Sequence, residues 1–137
     1  MPNYYDIIGN KLIDNNNETY NLKETTNNKY FALYFSAKWC GPCRNFTPKL
    51  IDFYNNSKNF EVIFVSLDKN KNEFNDYFSK MPWKSLPFDN VQSEELSEFF
   101  GVQGIPTLVL VDYEGNLLTG QGKEIIENNS NLFQLIT

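Results

Sequence analysis

The stretch YFALYFSAKWCGPCRNFTPKL, residues 30–50, constrains the fold more than any other part of the chain. Residues 30–37 form a nearly continuous apolar and aromatic run, as in a strand buried on both faces. Beyond Gly41, apolar residues recur at Phe46, Leu50, Phe53 and Tyr54, the spacing of one helix face. Pro42 stands near the helix start, where its missing N–H matters little. A buried strand therefore passes straight into a helix, and Cys40 and Cys43 lie at the turn between them. Pro48, inside that helix, is expected to kink it, because it removes a hydrogen bond and crowds the carbonyl of Arg44.

The same alternation continues downstream. FEVIFVSLD (60–68) reads as a second core strand and KNEFNDYFSKM (71–81) as a helix. SEELSEFFGV (93–102) reads as a helix with Ser93 as its N-cap, and TLVLVD (107–112) as a third strand. Turn residues 112–116 lead to a short strand LLT (117–119) and a closing helix around 123–136. Before the first core strand, YDII (5–8) and KLI (11–13) read as two short strands about a Gly9-Asn10 turn. The pattern predicts an α/β fold with a mainly parallel sheet, helices on both faces and a closing antiparallel hairpin.

At 137 residues, 41% of them apolar, the chain holds one core, and residues 1–137 are expected to form a single domain. The formal charge is −5 and the basic residues are scattered, so no Lys/Arg patch points to nucleic acid or anionic lipid. No apolar run approaches the roughly 18 residues of a membrane span, and MPNYYDIIGN has no signal-like charge and apolar pattern, which favours a cytoplasmic setting.

Cys40 and Cys43 are the only cysteines, and there is no histidine. A disulfide between them closes so short a loop that it removes only about 2 kcal/mol of unfolded-chain entropy. A zinc site with about four ligands would need carboxylates or a second chain. Thiols packed as small hydrophobes need neither Gly41-Pro42 between them nor a helix N-terminus. A redox-active dithiol uses every part. The macrodipole and the free N–H groups of the first turn hold Cys40 as thiolate, while Cys43, one turn on, reaches the same sulfur from the buried side.

WCGPC (39–43) and GIPT (104–107) together resemble the thioredoxin family, over residues 28–122. SAKWCGPCRNFTPKL, VIFVSLDKN, MPWKSLPF and the N-terminal extension are similar to its tryparedoxin and nucleoredoxin branch. The resemblance implies a thioredoxin fold, a central mixed sheet flanked by helices on both faces with a short N-terminal β extension. It implies Cys40 as the attacking cysteine, Cys43 as the resolving one, and a cis Pro106 preceded by Ile105, whose backbone meets an extended peptide. Trp39, Gly41 and Pro42 would complete the docking surface. Trp83 either rims the site or, as expected here, is an aromatic lid on a core helix, and Arg44 either raises the potential near the thiols or is a solvated helix-face residue.

Three departures qualify the resemblance. The branch carries two prolines between the cysteines, where this chain has Gly41-Pro42. Leu67 and Lys69 stand where tryparedoxins carry an aromatic residue and an acid, which argues against trypanothione as donor. Tyr34 stands where ordinary thioredoxins bury an aspartate behind the cysteines. The implied function is reduction of protein disulfides, those of peroxidases included, through a mixed disulfide. Thioredoxin reductase or glutathione is the implied upstream donor, the implied state a monomer, and no cofactor or metal is needed beyond the cysteine pair. The other functional readings are a redox-gated binding module of the nucleoredoxin type and a disulfide oxidase or isomerase.

Overall fold

The computed structural model describes residues 4–129. Its centre is one sheet of seven strands. β3 (Tyr30–Ser36) and β4 (Phe60–Ser66) run parallel in the middle, from Tyr30 opposite Phe60 to Ser36 opposite Ser66. On one side β3 pairs antiparallel with β6 (Thr107–Val111), which in turn pairs antiparallel with β7 (Leu117–Thr119). On the other side β5 (Lys84–Ser85) runs parallel to β4, and a hairpin of β1 (Lys11–Ile13) and β2 (Thr19–Asn21) closes that edge antiparallel. The spatial order is β2-β1-β5-β4-β3-β6-β7.

The strand period of two sorts the core into two clusters. Ala32, Tyr34, Val62, Phe64, Leu108 and Leu110 point to one face. There they meet α3 (Gly41–Asn55) through Phe46 and Leu50, α4 (Lys71–Phe78) through Phe74 and Phe78, and α6 (Gly122–Asn129) through Ile126. Phe31, Leu33, Phe35, Ile63, Val65 and Val109 point to the other. That face is covered by Ile8 of α1 (Tyr4–Ile8), Leu22 of α2 (Leu22–Thr25) and Leu96 of α5 (Asn90–Phe99). α6 lies so close to β6 that a Cβ on Gly122 would come within 2.9 Å of the Leu108 carbonyl oxygen, so only glycine fits there.

The mixed sheet with helices on both faces, resting on a short N-terminal hairpin, agrees with the α/β expectation, and four details differ from it. The sheet is not mainly parallel, because only β3–β4 and β4–β5 pair that way. The chain leaves α5 at the carboxyl end of β3 and enters β6 there, with Thr107 opposite Phe35, so β6 must run backwards. Residues 5–8 are helical, and Gly9, at φ +89°, ends α1 where a hairpin turn was expected. The N-terminal hairpin is instead β1–β2, turning through Asn17 at φ 65°. The N-cap of α5 is Asp89, whose side chain accepts from Gln92 N–H, while Ser93 is buried inside the helix. α3 continues to Asn55 through Pro48, and of the closing helix only Gly122–Asn129 lies within the described residues.

Candidate active site

β3 ends at Ser36, and three residues of turn bring the chain to Cys40, the N-cap of α3. Cys40 has extended backbone (φ −93°, ψ 112°), and its Sγ accepts the Cys43 N–H at 3.3 Å. A sulfur thus takes the place that a serine or aspartate oxygen usually holds at an N-cap. Both cysteines are free thiols. Cys40 keeps 7% of its surface in contact with solvent, whereas Cys43 has none.

The GIPT loop lies directly across. The Ile105–Pro106 bond is cis, and the Cys40 thiol donates to the Ile105 carbonyl at 3.7 Å. Pro106 is buried and Ile105 half-buried. Gly41 and Pro42 occupy the first two positions of α3, Pro42 exposed, so the sequence-predicted residues come together at one end of the sheet.

A second loop fixes the entry to the motif, and sequence reasoning passed over it. The Asp68 carboxylate, just beyond β4, accepts from Lys38 N–H at 2.7 Å and from the Ser66 hydroxyl at 2.6 Å. Burial pushes the Asp68 carboxyl above its ordinary range, against those two hydrogen bonds, which pull it down. Trp39 Nε1–H donates to the Leu67 carbonyl at 2.9 Å, which holds the half-exposed indole over the loop. Trp39, Leu67, Val102 and Ile105 line an open groove of about 470 Å³, rimmed by Glu94 and Glu98. The signal for Asp68 in the sequence was an acid directly after a core strand.

Behind Cys43 lies a cluster of hydroxyls. The Thr47 hydroxyl donates to the Cys43 carbonyl at 2.8 Å and is 2.7 Å from Tyr34 Oη and 2.8 Å from Tyr77 Oη. Tyr77 Oη is in turn 2.8 Å from Ser36 Oγ. Tyr34 is fully buried, and burial first, then the neighbouring Tyr77, pushes its hydroxyl well up, so it stays protonated. Burial also pushes the Cys43 thiol up, with the Ser36 hydroxyl and the Ala37 N–H opposing that shift. Ser36, Thr47 and Tyr77 escaped sequence reasoning because they come from three separate elements.

Trp83 lies in the core, edge-on to Tyr34 at 6.0 Å and to Tyr54 at 5.6 Å between ring centroids, and does not rim the site. Its indole N–H has no hydrogen-bond partner among the described residues. The exposed Arg44 lies back over Gly41 and, with Lys38, Lys80 and Asp76, lines a cavity of about 320 Å³ between α3 and α4. Thr47 and Tyr77 also line that cavity.

Comparison with known proteins agrees with this geometry. A family model described as thioredoxin-like matches residues 27–117. Nucleoredoxin of Danio rerio is 38% identical over 131 residues, which is 92% of this chain and 31% of that protein, so the chain spans about a third of the length of that relative. Tryparedoxin of Trypanosoma brucei brucei is 49% identical over 96 residues, 67% of each chain. A solved tryparedoxin II in complex with glutathionylspermidine superimposes with a TM-score of 0.84 at 36% identity, covering 93% of both chains. With a Cys-x-x-Cys pair capping the helix after the central strand and a cis-proline loop facing it, the chain belongs to the thioredoxin-like oxidoreductase family, on the side of the nucleoredoxins and tryparedoxins.

Proposed function

We propose that this chain reduces protein disulfides. The observation that carries the reading is the contrast within one helical turn: Cys40 at the solvent edge with an amide on its sulfur, Cys43 sealed beneath it. The Cys40 thiolate attacks one sulfur of the substrate disulfide, forms a mixed disulfide, and the first substrate sulfur leaves with the electron pair. Cys43 then attacks Cys40 Sγ, the Cys40–Cys43 disulfide forms, and the second substrate thiol leaves. The dithiol carries both electrons, so no prosthetic group is required.

Docking falls to the groove beside Trp39 and to the Ile105 backbone, whose N–H has no acceptor among the described residues. An extended segment laid along residues 104–106 would place its cysteine over Cys40 in the manner of an added strand. Disulfides of peroxidases are in this substrate class. The donor that restores the dithiol is thioredoxin reductase or a glutathione-type thiol, and the chain acts as a cytoplasmic monomer. A thiol ligand on a structural relative supports a small-thiol donor, while Leu67 and Lys69 speak against trypanothione itself.

The exposed Trp39 groove also suits a redox-gated binding module. Insulin reduction, driven by a regenerating reductant, separates the two: many turnovers per chain support the reductase, and a single stoichiometric oxidation supports the module.

A further inference from the structure

The two faces of the sheet bring opposite charge to the two sides of the cysteine turn. On one face α5 rims the Trp39 groove with Glu94 and Glu98, neither of which has an ion-pair partner among the described residues. On the other face α3 and α4 enclose a cavity of about 320 Å³, lined by Lys38, Arg44 and Lys80 against one carboxylate, Asp76. Lys38 takes that carboxylate at 2.6 Å, and Lys80 acts on it only from beyond ion-pair distance. Arg44 and Lys80, both exposed, have no ion-pair partner among the described residues. A chain whose formal charge is −5 thus holds two uncompensated cations at one cavity.

Arg44 ties the cavity to the reacting sulfur. Its N–H donates to the Cys40 carbonyl at 3.1 Å, and its guanidinium lies back over Gly41. One helical turn rises about 5.4 Å, and an extended peptide reaches about 3.3–3.6 Å per residue. A small thiol with its sulfur on Cys40 therefore reaches Arg44 with a carboxylate one or two residues away. The cavity has the volume of a small-ligand site, at the low end of roughly 300–1,000 Å³.

We propose that the cavity between α3 and α4 docks the carboxylates of an anionic small thiol, a cysteine-containing peptide of the glutathione class, which restores the dithiol. The inference rests on the reductase reading and names the donor of its regenerating half. A donor thiolate attacks Cys40 Sγ of the Cys40–Cys43 disulfide, that bond breaks, and Cys43 leaves with the electron pair. A second donor thiolate attacks the donor sulfur now bonded to Cys40, and Cys40 leaves as thiolate. Two donor thiols are oxidised to one donor disulfide, both cysteines are reduced, and the donor protons reach them through solvent. Arg44 offers a planar fork to a carboxylate, and Lys80 adds a point charge. Glu94 and Glu98 repel the same carboxylates from the groove, so protein substrate and donor approach from opposite faces of the sheet. A thiol that carries a polyamine instead meets like charge at Arg44 and Lys80.

Reduction of the oxidised full chain by glutathione and by 2-mercaptoethanol, followed by stopped-flow tryptophan fluorescence, compares a thiol with carboxylates and one without. In the double variant Arg44→Gln, Lys80→Gln the rate constant with glutathione should fall by at least about fivefold at low salt, and that with 2-mercaptoethanol should stay within about twofold of wild type. The wild-type rate with glutathione should approach that of the variant at about 1 M salt, where the screening length is about 3 Å. Single-turnover reduction of insulin by the pre-reduced variant should stay within about twofold of wild type. An unchanged rate with glutathione would overturn the proposal. So would an equal loss with both thiols, which would mean that the cations act on Cys40 itself, and a loss confined to insulin, which would give the cavity to protein substrates. A wild-type chain that reduces no insulin but keeps the variant-sensitive reaction with glutathione sinks the reductase reading and leaves the carboxylate site standing.

Discussion

The two faces of β3 share one backbone and one hydrogen-bonded register, yet they are built for different ends. Phe31, Leu33 and Phe35 point into a cluster closed by Ile8, Leu22, Leu96 and Val109, all of them buried hydrocarbon. Ala32, Tyr34 and Ser36 point the other way, and toward the carboxyl end of the strand that face turns from hydrocarbon to hydroxyl, beneath the first turns of α3. A strand buried on both faces can thus stabilise with its odd-numbered residues and tune a thiol with its even-numbered ones. The period of two keeps the two tasks apart.

The comparison is broken first, and with the largest effect, at the thiols. Cys40→Ser should abolish disulfide reduction while leaving the stability within about 1 kcal/mol, because the side chain lies at the solvent edge of the hydroxyl face. Cys43→Ser should retain attack but accumulate a covalent mixed disulfide, visible as an added mass on the intact protein. If the mixed disulfide collects on Cys40→Ser instead, the roles of the two sulfurs are reversed.

The opposite face should respond in the opposite way. Leu33 is fully buried, and Leu33→Ala should cost about 2–5 kcal/mol in urea unfolding through lost transfer energy and the cavity left behind. The rate of each half-reaction per folded molecule should nonetheless remain within about threefold of wild type. A resolving step slowed well beyond threefold per folded molecule would show that the two faces are not separable.

Both the strand and the thiol turn were legible in the sequence because their signals are local. An apolar run of strand length, a proline at a helix start and a Cys-x-x-Cys between them are read within residues 30–50. The N-terminal segment failed for a local reason as well. Gly9 serves a helix end as readily as a hairpin, since both need positive φ, and only Ile8 packing under the sheet decides between them. Ser93 looked like an N-cap, but Asp89, four residues earlier, accepts from Gln92 N–H and takes that role. The hydroxyl cluster lay beyond sequence reasoning because Ser36 and Tyr77 are separated by 41 positions, and Thr47 and Tyr77 by 30. Neither residue type at those distances carries a signal until β3, α3 and α4 are packed.

Asp68 sharpens the contrast by adding charge to a site whose other buried polar groups are neutral. Its carboxyl is held above the ordinary range by burial, so the folded state binds the proton more tightly than the unfolded chain, where the pKa is about 3.9. Ionisation is then costlier in the folded state, and the stability that Asp68 contributes is present in acid and lost as pH rises through its folded pKa. The stability of wild type minus that of Asp68→Asn should therefore fall between about pH 4 and neutrality, and urea titrations at a series of pH values check it. A difference that rises with pH would mean that the hydrogen bonds from Lys38 and Ser66 outweigh burial. The groove beside Trp39 should loosen in the variant too, detected as a shift in tryptophan fluorescence, because Lys38 N–H loses a charged acceptor.

Tyr34 separates the two faces most finely, since it lies in the hydroxyl cluster but at its end. Its Oη lies 2.7 Å from Thr47 Oγ1 and donates to the Cys43 carbonyl at 3.4 Å, and Thr47 keeps that same carbonyl as its acceptor at 2.8 Å when the Tyr34 hydroxyl is removed. Tyr34→Phe therefore strands no donor. The ring keeps its edge contacts with Phe46 and Trp83, and the loss should be about 0.5–1.5 kcal/mol of stability. Burial keeps the hydroxyl protonated throughout the neutral range, so it has no titration to contribute to the rate. The rate of disulfide reduction in Tyr34→Phe should fall by less than about tenfold, and its pH profile from about pH 6 to 9 should superimpose on that of wild type. Tyr77→Phe removes the hydroxyl partner of both Ser36 and Thr47, so it should cost more stability in urea unfolding than Tyr34→Phe. If instead Tyr34→Phe removes an ionisation from the profile between about pH 6 and 9, or loses activity far beyond tenfold, Tyr34 is part of the path by which the Cys43 proton leaves.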